Sequence, residues 1–153
     1  VPALERASLP DSGTRAATDR LRSPVQSLLV SARVLVVDDE PMVLDALRKI
    51  LAGAGYVTLG ATSFEDGRRL LLAPPAPDVV VTDVRLGRYN GLQLVVLRPQ
   101  ATAAIVISGH QDDVIEAEAR IHGAVYLQKP LVNPTLVETV ARLIAERSAA
   151  GAT

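Results

Sequence analysis

From Arg33 onward, short apolar runs rich in β-branched residues alternate with stretches of helical periodicity, and few folds accommodate that alternation. The runs are Val34–Val37, Val57–Ala61, Val79–Thr82, Ala104–Ile107 and Val125–Leu127. Short runs of this kind bounded by polar residues are the pattern of strands covered on both faces. Between and after them lie helical stretches near Pro41–Ala54, Phe64–Leu72, Leu92–Leu97, Asp112–Ile121 and Thr135–Ser148. In the first, Val43, Leu47, Ile50, Leu51 and Ala54 share one face, Pro41 sits where a helix can begin without its N–H, and Gly55 supplies the stop. Leu136, Val137, Val140, Leu143 and Ile144 form a similar stripe in the last. The expected class is α/β, five strand–helix units around a parallel sheet. Pro99 should end the third helix early, leaving Arg98–Ala103 as irregular chain.

At 153 residues and 48% hydrophobic, the chain can bury one core and is too short for two ordinary domains. The expected division is a flexible leader over residues 1–31, one domain over 32–148 and a short tail over 149–153. The leader mixes Pro2, Pro10, Gly13 and Pro24 with both charge signs and has no sustained hydrophobic period. Without cysteine there are no disulfides, no thiolate metal sites and no cysteine nucleophile. No apolar run approaches the roughly 18 residues of a membrane span and no signal peptide is recognisable, so the expectation is cytoplasmic, with no membrane partner. A net charge of −1, with one Phe, three Tyr and no Trp, argues against nucleic acid as a partner.

Two of the runs end in acid. Asp38 and Asp39 close Val34–Val37, and Asp83 closes Val79–Thr82. In a parallel α/β sheet the crevice at the carboxyl ends of the strands is where ligands bind, so this spacing predicts one acidic pocket. Acidic oxygens without cysteine or nearby histidine favour a hard cation, Mg²⁺ before Zn²⁺, and Mg²⁺ commonly accompanies phosphoryl groups. Of the sixteen basic residues only Lys49 and Lys129 are lysines, which singles out the lysine beside the last strand.

Val36-Val37-Asp38-Asp39-Glu40-Pro41, Asp83-Val84-Arg85-Leu86, Gly91-Leu92, Ile107-Ser108-Gly109 and Tyr126-Leu127-Gln128-Lys129-Pro130 together resemble a bacterial two-component response-regulator receiver domain. The resemblance runs from about Arg33 to Arg147, and its specificity comes from five separated motifs in order rather than from any one. It implies a (βα)5 doubly wound, flavodoxin-like fold with a five-stranded parallel sheet in the order 2-1-3-4-5. It also implies phosphorylation by a histidine kinase or a histidine phosphotransfer protein. Residue by residue, Asp83 would be the phosphoacceptor, assisted by Lys129 and Ser108. Asp38, Asp39, Asp83 and the backbone carbonyl of Arg85 would hold Mg²⁺, Asp39 directly and Asp38 largely through water. Ser108 and Tyr126 fall at the switch positions, and the Lys129–Pro130 bond would be cis. The protein would then be a phosphoacceptor rather than an enzyme. It would be a stand-alone receiver, because only five residues follow Ser148. It would signal to a downstream protein through the fourth helix, fifth strand and fifth helix, as a monomer or a phosphorylation-dependent homodimer.

The chemistry agrees with these roles. A carboxylate attacks a phosphoryl group poorly because both are anionic, so a divalent cation and an ammonium must screen the approach. Each residue also has a plainer reading: a lone Asp at a strand end as a turn or cap, Ser108 as a loop hydroxyl, Tyr126 as a core-edge residue, Pro130 as a trans turn residue. His110 and His122 read as solvated side chains, and Asp112, Asp113, Glu116 and Glu118 as a solvated helix start. Two departures from the family pattern stand out. Gly87 replaces a frequent proline, which predicts a looser loop over the site, and the chain between Gly91 and Ile105 is several residues short. The rivals are a phosphorylation-independent interaction domain and a haloacid-dehalogenase-type phosphatase. The latter expects Asp-x-Asp where this chain has Asp38-Asp39-Glu40.

Overall fold

The computed structural model describes residues 32–151, so the expected leader over residues 1–31 lies outside the described residues. The main sheet consists of β1 (Arg33–Val37), β2 (Val57–Ala61), β3 (Val79–Asp83), β6 (Ala103–Ser108) and β7 (Val125–Gln128). These pair in parallel in the order β2-β1-β3-β6-β7, which is 2-1-3-4-5 when only the five long strands are counted. β4 (Arg85–Leu86) and β5 (Tyr89–Asn90) form a separate antiparallel hairpin after β3. The helices are α1 (Pro41–Gly53), α2 (Phe64–Leu72), α3 (Leu92–Leu97), α4 (Asp113–Ile121) and α5 (Asn133–Gly151).

Strand alternation divides the core into two layers. Val34, Val36, Val79, Val81, Ile105 and Ile107 point to one side, where they meet Leu44, Leu47 and Leu51 of α1 and Leu136, Val140 and Ile144 of α5. Leu35, Val37, Val80, Ala104 and Val106 point to the other, against Leu71 of α2, Leu92, Leu94 and Val95 of α3, and Ala119 of α4. Helices on both faces explain why β1 and β3 read as unbroken apolar runs: Val34 to Val37 and Val79 to Val81 are all 0–1% exposed. Each such side chain contributes about 1.5–3 kcal/mol, so the two inner strands hold the sheet and the carboxyl ends they carry.

The element ends reflect local chemistry. Ser63 caps α2 by accepting from the Asp66 N–H, and Asp112 caps α4 by accepting from Val114 and Ile115, both at 3.1 Å. Asp112 therefore precedes its helix rather than opening it. Gly123, with φ +77°, turns the chain out of α4 as the left-handed residue after a helix end commonly does. At the other end of the chain, α5 continues three residues past Ser148 to Gly151, where a short tail is the sequence expectation.

α3 has only six residues, as the position of Pro99 predicts. Its truncated end is held by Arg98, whose half-buried guanidinium donates to the carbonyls of Val95 (2.7 Å), Thr102 (2.8 Å) and His122 (3.0 Å). One side chain thus satisfies the Val95 carbonyl, which another helical turn would have occupied, and ties α3 to the loop before β6 and to the end of α4. Burial pushes the Arg98 pKa down from its ordinary value.

Candidate functional site: an acidic pocket at the carboxyl end of the sheet

Adjacent strands β1 and β3 end side by side and deliver Asp38, Asp39 and Asp83 to one point, with one carboxylate oxygen of each within 4.8 Å of the other two. Asp38 is 1% exposed and forms the floor, Asp83 is partly buried, and Asp39 faces solvent. Lys129, at the turn after β7, reaches across with Nζ 3.2 Å from Asp38 Oδ2 and 3.6 Å from Asp83 Oδ2. The following Lys129–Pro130 bond is cis. Above the carboxylates lies an open cavity of about 430 Å³ whose lining includes Asp39, Asp83, Arg85, Ser108, His110 and Lys129. The site residues therefore converge, from four strand ends far apart in sequence.

Asp38 and Asp39 each have a backbone donor of their own. The Glu40 N–H donates to Asp38 Oδ1 at 2.9 Å, and the Gly87 N–H donates to Asp39 Oδ2 at 3.2 Å. Gly87 takes φ +61° at the first turn position of the β4–β5 hairpin, a place suited to glycine, and its amide ties the hairpin to Asp39. Tyr89 of the same hairpin stacks on Phe64 of α2, with ring centroids 4.4 Å apart and planes 15° from parallel.

The electrostatics are those of an anionic cluster to which, among the described residues, Lys129 is ion-paired. The Asp83 pKa is raised above its ordinary value, first by burial and then by Asp38 and Asp39, against the opposing pull of Lys129 and a hydrogen bond from the Arg85 backbone. Lys129 is also raised. Burial alone would lower it, and the charges of Asp38, Asp83 and Glu40, with the hydrogen bond to Asp38, together outweigh burial. Three acidic groups and no cysteine or histidine ligand form a donor set for a hard, oxygen-seeking divalent ion such as Mg²⁺, for which one lysine is incomplete compensation.

Ser108 and Tyr126 meet at a third point. The Ser108 hydroxyl donates to the His110 carbonyl at 2.7 Å, and the Tyr126 hydroxyl donates to the same oxygen at 3.0 Å. The side chains of His110 and His122 are exposed, and α4 carries its acids on the outside, with Glu116 paired to Arg120 at 2.8 Å.

The sequence matches the response regulator receiver domain family over residues 34–141. It is 33% identical over 118 residues to the two-component response regulator PprB of Pseudomonas aeruginosa, a match covering 72% of this chain and 42% of that protein. It is 36% identical over 117 residues to the DNA-binding transcriptional regulator NtrC of Escherichia coli K12, covering 72% of this chain and 24% of that one. Among solved structures, a response regulator receiver domain protein from Clostridium thermocellum superposes with a TM-score of 0.73 at 28% identity, over 77% of this chain and 98% of its own. A receiver protein from Burkholderia phymatum does so with 0.67 at 31% identity, over 75% and 96%. The chain belongs to the response regulator receiver domain family of two-component signalling. It spans less than half the length of the two curated relatives.

Proposed function

We propose that this receiver takes a phosphoryl group onto Asp83 from the phosphohistidine of a histidine kinase or histidine phosphotransfer protein, and that the new acyl phosphate changes a protein-binding surface. The observation that carries the reading is the joint approach of Asp38, Asp39, Asp83 and Lys129 beneath an open cavity. In the transfer, an Asp83 carboxylate oxygen attacks phosphorus in line, the donor's N–P bond breaks as the O–P bond forms, and the imidazole leaves with the electron pair and picks up a proton. Asp38, Asp39 and Asp83, with the Arg85 backbone carbonyl, would hold Mg²⁺, which when bound supplies charge neutralisation at the phosphoryl oxygens. Lys129 pairs with a phosphoryl oxygen as a compact cation on a flexible stem. On this reading the protein is a phosphoacceptor that assists its own phosphorylation and dephosphorylation, not an enzyme acting on other substrates.

Ser108 is the switch donor. Its hydroxyl leaves the His110 carbonyl for a phosphoryl oxygen, which draws the 108–112 loop inward, and Tyr126 turns toward the core as its partner moves. The surface of α4, β7 and α5 then shifts by population rather than by creation of a new state. The partner on that face is a downstream protein or a second copy of the chain; no nucleic acid or membrane is involved at this domain. Cytoplasmic residence is part of the same proposal, since phosphohistidine is made from a nucleoside triphosphate. Acetyl phosphate with Mg²⁺ should add one phosphoryl group by intact mass, and Asp83→Asn should add none. A phosphoryl group of the same base lability on Asp83→Asn would refute the assignment.

A further inference from the structure

β3 loses one neighbour just where its chemistry begins. The last pair between β1 and β3 is Val37 with Thr82, and β1 ends there, while the Asp38 N–H continues the β1–β2 ladder by donating to the Ala61 carbonyl. The Asp83 carbonyl, one residue past that pair, therefore has no strand partner on the β1 side. The Thr82 hydroxyl supplies the donor, reaching the Asp83 carbonyl at 3.0 Å. One residue on, the Gly91 N–H donates to the Val84 carbonyl at 2.7 Å and brings the chain back against β3. Gly91 lies so close that a Cβ there would stand 2.8 Å from Thr82 Oγ1 and would collide with the Asp83 carbonyl oxygen. Thr82 is 0% exposed in a strand whose preceding residues are all Val. Valine has the same shape and buries no polar group, so packing does not account for a hydroxyl at this position.

We propose that Thr82 is a positioning residue for phosphoryl transfer: its hydroxyl, backed by the close approach of Gly91, fixes the main chain of Asp83 and thereby aims the carboxylate. The inference rests on Asp83 being the phosphoacceptor. Displacing a nucleophile by a fraction of an ångström costs rate steeply while leaving donor binding nearly alone. With acetyl phosphate at saturating Mg²⁺, Thr82→Val should be phosphorylated about tenfold or more slowly in maximal rate, with half-saturation by donor unchanged. Thr82→Ser, which keeps the hydroxyl and loses a methyl, should stay within about twofold of the parent. A Val variant as fast as the parent, or a Ser variant as slow as Val, overturns the proposal.

A second measurement needs no phosphoryl transfer. The carboxyl-carbon resonance of Asp83 and the amide resonance of Gly91 should both move in Thr82→Val and hold in Thr82→Ser; unmoved resonances in the Val variant also overturn it. If the parent itself takes no phosphoryl group, the functional reading fails and the two resonances still decide the role of Thr82. Should Thr82→Val not fold, Thr82→Cys replaces it: its weak donor should give an intermediate slowing of about threefold, and a parental rate would count against the hydroxyl.

Discussion

Replacing Asp83 by Asn should stabilise the metal-free protein at neutral pH, although it removes the partner of an ion pair. At an effective dielectric near 20, charges at the outer limit of 4.8 Å interact by about 3.5 kcal/mol, so repulsion of Asp83 from Asp38 and Asp39 totals about 7 kcal/mol at that limit. Attraction to Lys129 at 3.6 Å returns about 4.6 kcal/mol. The balance of about 2 kcal/mol favours the neutral side chain, and solvent around the exposed Asp39 reduces it to about 1–2 kcal/mol. The pKa direction agrees in sign: Asp83 lies above its ordinary 3.8, so the native state holds that proton more tightly than the unfolded chain. Stability is therefore lost as pH rises from the ordinary value through the raised one, and the Asn variant escapes that loss. Urea melts without divalent ions should show the gain at pH 7.5, equivalent to about 4–8 °C in Tm, and little of it near pH 3.5. Adding Mg²⁺ should narrow or reverse the difference, because only the parent keeps all three carboxylates. An Asn variant less stable than the parent at pH 7.5 without metal would refute the electrostatic account.

Asp39→Ala should abolish measurable Mg²⁺ binding by calorimetry while leaving the melt cooperative, since Asp39 is exposed and the change removes one exposed hydrogen bond, from the Gly87 N–H; unchanged affinity would exclude it as a ligand. Ser108→Ala should still be phosphorylated, yet beryllofluoride should cause smaller amide shift changes across residues 112–121 and 135–148 than in the parent; equal changes in both proteins would remove Ser108 from the switch. Arg98→Met should cost about 2–3 kcal/mol in urea denaturation with an unchanged m-value, because three carbonyls lose a charged donor; a loss under 0.5 kcal/mol, on the order of a neutral surface change, would show that water replaces the guanidinium.

The strands, most helix bounds and the acidic pocket were legible in the sequence because each rests on a local pattern. Buried strands write themselves as β-branched runs, helices as 3.6-residue stripes, and a crevice at strand ends follows from the parallel topology once Asp38, Asp39 and Asp83 are seen to close such runs. The buried face of α1 lies slightly out of phase with the stripe its sequence predicts: Leu44 is buried and Ile50 only partly so. A helix face fixes its rotation only when it meets a particular sheet. What tertiary structure alone decided are the contacts between groups without periodicity. The Gly87 amide on Asp39, the Arg98 clamp and the Thr82–Gly91 grip on Asp83 each depend on backbone atoms brought together across a turn or between elements. No residue type announces such a meeting, because a carbonyl is present at every position and only the fold determines which ones lack a partner.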